Sequence, residues 1–356
     1  MDMNDASMMD PGMATAGRKR GISGSTLKLI AIFTMLIDHT AATILQNTLV
    51  ARGMNNLDPT DVQATMQFYA DNAFLNGAMM VMRLIGRIAF PIFCFLLVEG
   101  FLHTRNVTKY AVRLALFAAI SEIPFDLAFN NKVLEGTHQN VFFTLLIGLL
   151  ILIGFKTIKE KAEHTKKVDN TEKVQPWLSI LGVLGALAVG GYVALLIYKI
   201  MAVVGQTLNA MGLTTADTGI GAAVILGIVF AAVALVVYAI MCKKTSLQTA
   251  SLRFADLFVL MIGMVVADLL RTDYSGFGVL TVAVVYGLRK SHFKSMLGAC
   301  ITLTIMTPME ITSFINLIFI RLYNGTRGLR LKYIFYAFYP VHLFILYLIC
   351  RGANLV

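Results

Sequence analysis

Long apolar runs separated by short polar breaks organise this chain. Runs near the length that crosses a bilayer lie at 27–46, 79–102, 110–129, 141–157, 178–199, 219–241 and 255–270. A shorter run covers 276–288, a run at 295–321 is interrupted by Pro308, and a last run covers 332–350. The pattern predicts an all-α protein, a polytopic transmembrane helix bundle with about ten hydrophobic segments, one of them re-entrant. Residues 1–20 hold no apolar core and read as a disordered cytoplasmic arm. Residues 21–356 read as a single transmembrane domain, with no repeat and no separate soluble unit.

Loop charges set the expected orientation. Arg18, Lys19 and Arg20 precede the first helix and place the N-terminus in the cytoplasm of a multi-pass plasma-membrane protein. The next loop, 47–78, carries Asp58, Asp61 and Asp71 and belongs outside. Arg105 and Lys109, the polar linker 156–176, Lys243, Lys244 and Arg253 keep the alternation, as do Arg289, Lys290 and Lys294. A conflict follows. If 295–321 crossed once, Arg321, Arg327, Arg330 and Lys332 would lie outside. Two half-length helices meeting at Pro308 would instead form a hairpin that returns this basic cluster to the cytoplasm, and such a hairpin lines a cavity.

Composition agrees with a membrane protein. The chain is 57% hydrophobic and 14% charged, against about 25% charged for a soluble domain. The net charge of +10 sits in short clusters between spans, which suits anionic lipid and argues against a nucleic-acid partner. Cys94, Cys242, Cys300 and Cys350 form no CxxC pair and lie in or beside apolar segments. They read as small hydrophobes, with no metal site.

Ionisable groups inside the spans are the candidate chemistry, because charge at membrane depth costs about 2.5–3.5 kcal/mol on insertion scales. Asp38 and His39 sit side by side mid-span. Lys28 lies eleven residues before His39, on the same helical face and roughly 16 Å away along the axis. The last span repeats the layout, with His342 ten residues after Lys332 and Tyr336, Tyr339 and His342 at three-residue spacing. Arg83, Arg87, Glu99, Glu122, Asp126, Arg271, Asp273 and Tyr274 complete the set. Facing lipid they would be unstable, so they face inward and pair. Plainer readings stand beside the functional one: a structural ion-pair network for Arg83, Arg87, Glu122 and Asp126, a snorkelling anchor for Lys28, an interfacial aromatic belt for 333–339, and a helix–helix hydrogen bond for His342.

Several stretches resemble the TraX family of membrane proteins, named for the F-pilin acetylase. They are LKLIAIFTMLIDH, GRIAFPIFCFLLVEGF, ISEIPFDLAF, NVFFTLLIG, TDYSGFGVL, LYNGTRG and YAFYPVHL, in family order over nearly the whole chain. Residues 158–253 carry no such stretch and read as a variable insertion with two spans. The resemblance implies acetyl transfer from acetyl-CoA and kinship with the acyltransferase type 3 proteins. Those carry a cation, ten residues and a His in their first span; Lys28 stands here where that group usually has Arg.

Chemistry and resemblance together give a set of expected roles. His39 is the expected general base, and an imidazole titrates in the useful range. Asp38 orients a neighbouring-helix residue, Arg87 or His342. Glu122 and Asp126 bind an acceptor ammonium or orient the imidazole. Asn140, Tyr339 and His342 are the expected donors to a carbonyl oxyanion. Arg321, Arg327, Arg330 and Lys332 hold the CoA phosphates, with Lys28 at the mouth and Tyr323-Asn324-Gly325 forming the turn. Asp273 joins the polar site. The expected partners are acetyl-CoA, membrane lipids and an unidentified peptide, sugar or lipid-linked acceptor, acetylated on an amine or a hydroxyl. The rival reading is a proton-coupled transporter or flippase using the buried Asp, His, Glu and Arg groups. A non-catalytic scaffold leaves the dense intramembrane charge unexplained.

Overall fold

A computed structural model describes residues 21–58, 61–169, 174–210, 219–329 and 332–356. The expected arm at 1–20 lies outside these residues. Twelve α-helices follow one another: α1 (Gly24–Ala51), α2 (Val62–Asp71), α3 (Ala73–His103), α4 (Val107–Asn130), α5 (Val141–Asp169), α6 (Pro176–Ala210), α7 (Gly219–Lys244), α8 (Leu247–Leu269), α9 (Ser275–Gly287), α10 (His292–Met306), α11 (Asn316–Leu322) and α12 (Lys332–Gly352). Among the described residues no strand forms, and seven helices are long and apolar enough to cross a membrane. The remaining expected segments are α4, the short α9 and the α10–α11 pair. The loop expected at 47–78 is shorter than its sequence implies. α1 runs on to Ala51, α3 begins at Ala73, and α2 forms between them with Asp61 capping the Ala64 N–H at 2.9 Å.

Three helices carry proline without stopping. Pro91 lies in α3, four residues past the loosened turn at Arg87. Pro124 lies inside α4 and Pro340 inside α12. Each removes one backbone donor, which helices in a packed bundle tolerate. α4 therefore runs unbroken through Pro124, and keeps Glu122 and Asp126 on one helix. In α1 a π turn spans Ala41–Leu45, beginning two residues after His39. One such widened turn changes which residues share a face, and π turns recur at functional sites.

The segment around Pro308 is a hairpin that enters and returns. α10 ends at Met306, the next residue Thr307 is extended (φ −152°, ψ 134°), and Pro308 opens a 3₁₀ turn to Ile315. α11 then leads back to Tyr323. The rings of His292, at the start of α10, and Tyr323, just after α11, lie 5.3 Å apart, so both arms begin and end at one face. α10 is about 22 Å long at 1.5 Å per residue, enough to reach deep into the bundle. There the hairpin is held to a loosened turn of α3 at Arg87–Ile88. Thr312 Oγ1 donates to Leu84 O at 2.7 Å and Asn316 Nδ2 to Ile88 O at 3.0 Å, satisfying carbonyls that the loosened turn frees.

One isolated β-bridge tightens each face. At the first, Ile22 N–H donates to Leu322 O (2.8 Å), Asn324 N–H to Ile22 O (3.0 Å) and Gly24 N–H to Thr326 O (2.8 Å), which lays the loop 322–329 along the start of α1. Gly328 sits in left-handed backbone (φ 71°), and a Cβ there would collide with the hydroxyls of Ser23 and Ser25. At the opposite face, Gln139 exchanges backbone hydrogen bonds with Arg271 (3.1 Å) and Asp273 (2.9 Å). The main apolar core lies between these two faces, built chiefly from α1, α3, α4, α5, α8, α9, α10 and α12. α6 and α7 pack on each other and along α8, with Gly190 against the Gly227 carbonyl and Ala231.

Candidate functional site

The two mid-span histidines meet. His39 Nδ1 lies 2.7 Å from His342 Nε2, and the rings are nearly parallel at 5.0 Å between centroids. The other nitrogen of His342, Nδ1, lies 2.7 Å from the Phe338 carbonyl. That contact fixes the tautomers of a neutral pair. A carbonyl only accepts, so His342 Nδ1 carries its proton and Nε2 is left as an acceptor. His39 Nδ1 must then donate, and His39 Nε2 keeps its lone pair. Among the described residues no group hydrogen-bonds that nitrogen. Phe129 and Tyr339 pack edge-on against the His39 ring, at 5.5 and 5.8 Å between centroids. One free basic nitrogen, held by packing and a two-bond relay, is what a general base requires.

Asp38 points elsewhere. Its carboxylate takes Arg83 at 2.7 Å on one oxygen and Arg87 at 2.8 Å on the other. Arg87 also holds Glu310 at 3.1 Å and approaches the Tyr274 hydroxyl at 3.4 Å. The network joins α1, α3 and the hairpin tip, and its charges balance, with two cations against Asp38 and Glu310. Gly86 is required here, because a Cβ at that position would overlap Asp38. Of the two partners expected for Asp38, the structure brings Arg87 to it and leaves His342 on His39.

Three other expected residues are already committed. Both amide hydrogens of Asn140 are used, one on Ala118 O (2.9 Å) and one on Glu122 Oε2. Asn140 therefore has none left for an oxyanion. Glu122 answers Asn140 and its backbone N–H at 3.3 Å and does not orient His39. Asp126 is fully buried, accepting from the Glu135 backbone N–H at 2.8 Å and from Asn130 at 3.4 Å. It closes the loop after α4 and is not open to an acceptor ammonium. His342, with both nitrogens occupied, does not serve as an oxyanion donor in this arrangement. Asp273 lies in the turn after α8, held through its backbone by Gln139 and by the Thr144 hydroxyl, which donates to its carbonyl. Tyr339 differs from the others. It is 3% exposed, its hydroxyl sits against the Val141 backbone N–H, and its own proton has no acceptor among the described residues.

A cavity of about 480 Å³ opens at the face where α1 begins. Lys28, Arg113, Arg327, Glu99 and Tyr323 line its polar part. Ile32, Met35, Phe93, Leu145, Phe142 and Tyr339 line its apolar depth. None of the three cations has a carboxylate partner among the described residues. The Lys28 ammonium lies 5.3 Å over the Phe335 ring, and Arg113 Nε is buried without a hydrogen-bond partner. Glu99, the one acid on the wall, lies 3.9 Å from both His103 and His292. Asn324 shapes the loop instead of the wall, its side-chain oxygen accepting from Thr326 N–H and Oγ1 at 3.0 and 2.7 Å. Arg330 lies outside the described residues, as does the side chain of Lys332, which begins α12. No residue of 158–253 is among those lining the cavity.

Two residues escaped the reading of the sequence alone. Glu310 is fully buried and sits in TIMTPMEITSF, where an acid inside a broken apolar run was the available signal. Arg113 had a weaker one. It lies one turn past Lys109 and reads as part of an ordinary basic helix start.

Comparison with known proteins agrees with this architecture. The family model described as "TraX protein" matches residues 23–214 and 170–350, two stretches that overlap. The "Probable fimbrial assembly protein FimC, serogroup H1" of Dichelobacter nodosus is 32% identical over 144 residues, 38% of this chain. The match spans about half of that protein's length, 48%. No solved structure matches the chain. With nearly all of its membrane-embedded residues inside the family match, the chain belongs to the TraX family, one associated with F-pilin acetylation.

Proposed function

We propose that the protein is an integral membrane acetyltransferase that takes acetyl groups from acetyl-CoA at the face where α1 begins, the cytoplasmic face of the plasma membrane. The observation that carries this reading is the His39–His342 pair, which leaves one free imidazole nitrogen one aromatic layer beyond a basic-mouthed, apolar cavity. Lys28, Arg113 and Arg327 have the chemistry to hold phosphates, and the two guanidinium groups supply forked donors. Arg330 and Lys332, close to Arg327 in the sequence, add positive charge to the same stretch. The apolar depth suits a pantetheine arm. Bound there, acetyl-CoA supplies an activated acyl carbon.

His39 Nε2 takes the proton of the acceptor amine or hydroxyl as its heteroatom bonds to the acyl carbon. The same proton passes to the sulfur as the carbon–sulfur bond breaks. His342 accepts from His39 Nδ1–H and stabilises the imidazolium that forms between the two steps. The Tyr339 hydroxyl is the one expected donor with a proton to spare for the carbonyl oxygen. The Arg83–Asp38–Arg87–Glu310 network holds α1 and the hairpin in register. The acceptor is a peptide, sugar or lipid-linked group reaching the pair from elsewhere in the bundle. Purified protein in detergent, given acetyl-CoA labelled in the acetyl group and a membrane extract as acceptor source, tests the proposal. CoA release with label on an acceptor supports it. Ion-gradient-driven flux in vesicles without acetyl transfer would replace it with transport.

A further inference from the structure

Tyr339 stands between the donor cavity and the histidine pair. Tyr339 lines the cavity, yet neither His39 nor His342 does. The Tyr339 ring packs edge-on against both imidazoles, 5.8 Å from His39 and 5.7 Å from His342 between centroids. On the cavity side it meets the Phe142 ring at 4.9 Å and 64°. Its position is over-determined. It is buried to 3%, its hydroxyl rests against the Val141 backbone N–H, and α12 fixes its backbone one turn before His342. Met35 borders the same end from α1, one turn before His39, roughly 6 Å short of it along the axis. A chain threaded from Lys28 inward therefore meets Tyr339, Met35 and Phe142 just where its reactive carbon must be presented.

We infer that the Tyr339 ring, backed by Phe142 and Met35, limits the acyl group to short chains, so that the protein selects acetyl donors by the length of the cavity. This rests on the acetyltransferase reading above. The physical reason is that well-packed aromatic walls do not give way to added methylenes. Overpacking forces side chains off their rotamers, and an aromatic ring held by three neighbours has none free. An extra methylene in such a pocket typically changes discrimination by about 10–200-fold, so four added carbons should be well beyond tolerance. A Tyr339 hydroxyl that donates to the carbonyl oxygen is compatible with this role, since hydroxyl and ring face different atoms.

Binding separates the claims without an identified acceptor. CoA, acetyl-CoA, butyryl-CoA and hexanoyl-CoA are titrated calorimetrically into the purified full-length protein and into Tyr339→Ala and Tyr339→Phe variants. The wild type should bind CoA and acetyl-CoA with similar affinity and hexanoyl-CoA at least 10-fold more weakly. Tyr339→Ala should close that gap, and Tyr339→Phe, which keeps the ring, should preserve it. Equal affinity for all four ligands in the wild type would overturn the inference and leave the donor site standing. Loss of selectivity in Tyr339→Phe would also overturn it, by assigning selection to the hydroxyl. Failure of the wild type to bind even CoA would instead sink the acetyltransferase reading itself. If Tyr339→Ala does not fold, Met35→Ala enlarges the same end and must relax the length limit for the inference to survive.

Discussion

Replacing Asp38 by Asn should cost stability rather than chemistry. Asp38 answers two arginines from one carboxylate, at 2.7 and 2.8 Å, while Arg87 is shared with a fully buried Glu310. Breaking a buried ion pair by removing one partner typically costs about 3–5 kcal/mol, because the surviving charge is stranded. The two arginines do not strand equally. The Arg83 side chain is 34% exposed and water can reach it, whereas Arg87 is at 14%. Arg87 also keeps Glu310. The lower end of the range follows, about 3 kcal/mol, or roughly two orders of magnitude in the unfolding equilibrium. Unfolding in mixed micelles by detergent titration, followed by far-ultraviolet circular dichroism, reads it directly. The sharper test is charge restoration. Asp38→Asn with Arg83→Gln leaves Arg87 facing Glu310 one to one, and should recover the part of the loss that comes from Arg83 repelling Arg87. Asp38→Asn with Arg87→Gln leaves Glu310 buried without its cation, and should fall below Asp38→Asn alone. A wild-type midpoint for Asp38→Asn, or equal rescue by the two arginine changes, would refute the idea of a charge-balanced clamp.

Other expectations bear on the base, the donor site and the topology. His39→Gln keeps a hydrogen-bonding side chain but cannot take a proton, so acetyl transfer should fall by about 10²–10⁴ with CoA affinity retained; near-normal turnover would remove His39 as the base. Arg113→Ala and Arg327→Ala should each weaken CoA binding and flatten its salt dependence, and unchanged affinity in both would dissociate the cavity mouth from the donor. Gly328→Ala should loosen the loop from α1, since left-handed backbone costs a side chain about 1–2 kcal/mol and Ser23 and Ser25 leave no room for it. Protease cleavage after Arg327 should then speed up. Single cysteines at Ile22 and Asn324, in a background without the four native ones, should label from the same side of the membrane; opposite-side labelling would contradict the hairpin.

Much of the scaffold is written in one dimension. The helical class and the position of each apolar segment follow from the length and apolarity of its run, which hydrocarbon thickness alone converts into spans, whereas α2 inside the expected loop 47–78 was not legible. The hairpin was legible too, because four basic residues after Pro308 conflicted with a single crossing. The resemblance carried by the motifs pointed to the family that the comparisons show. What the sequence left open is pairing. It placed His39 and His342 at similar depth, but 303 positions separate them, and only the packing of α1 against α12 brings their nitrogens together. It named Asn140, Glu122 and Asp126 as candidate site groups, with an ion-pair network as the plainer reading of the two acids, yet a buried polar atom takes whichever partner the fold supplies. Here those partners are Ala118, Asn140 and the loop after α4. Glu310 shows the same limit from the other direction. As one acid in an apolar run it had no visible role until the hairpin set it against Arg87. Hydrophobic periodicity records how each helix meets lipid and core, whereas hydrogen bonds are settled between helices, by geometry that no single helix encodes.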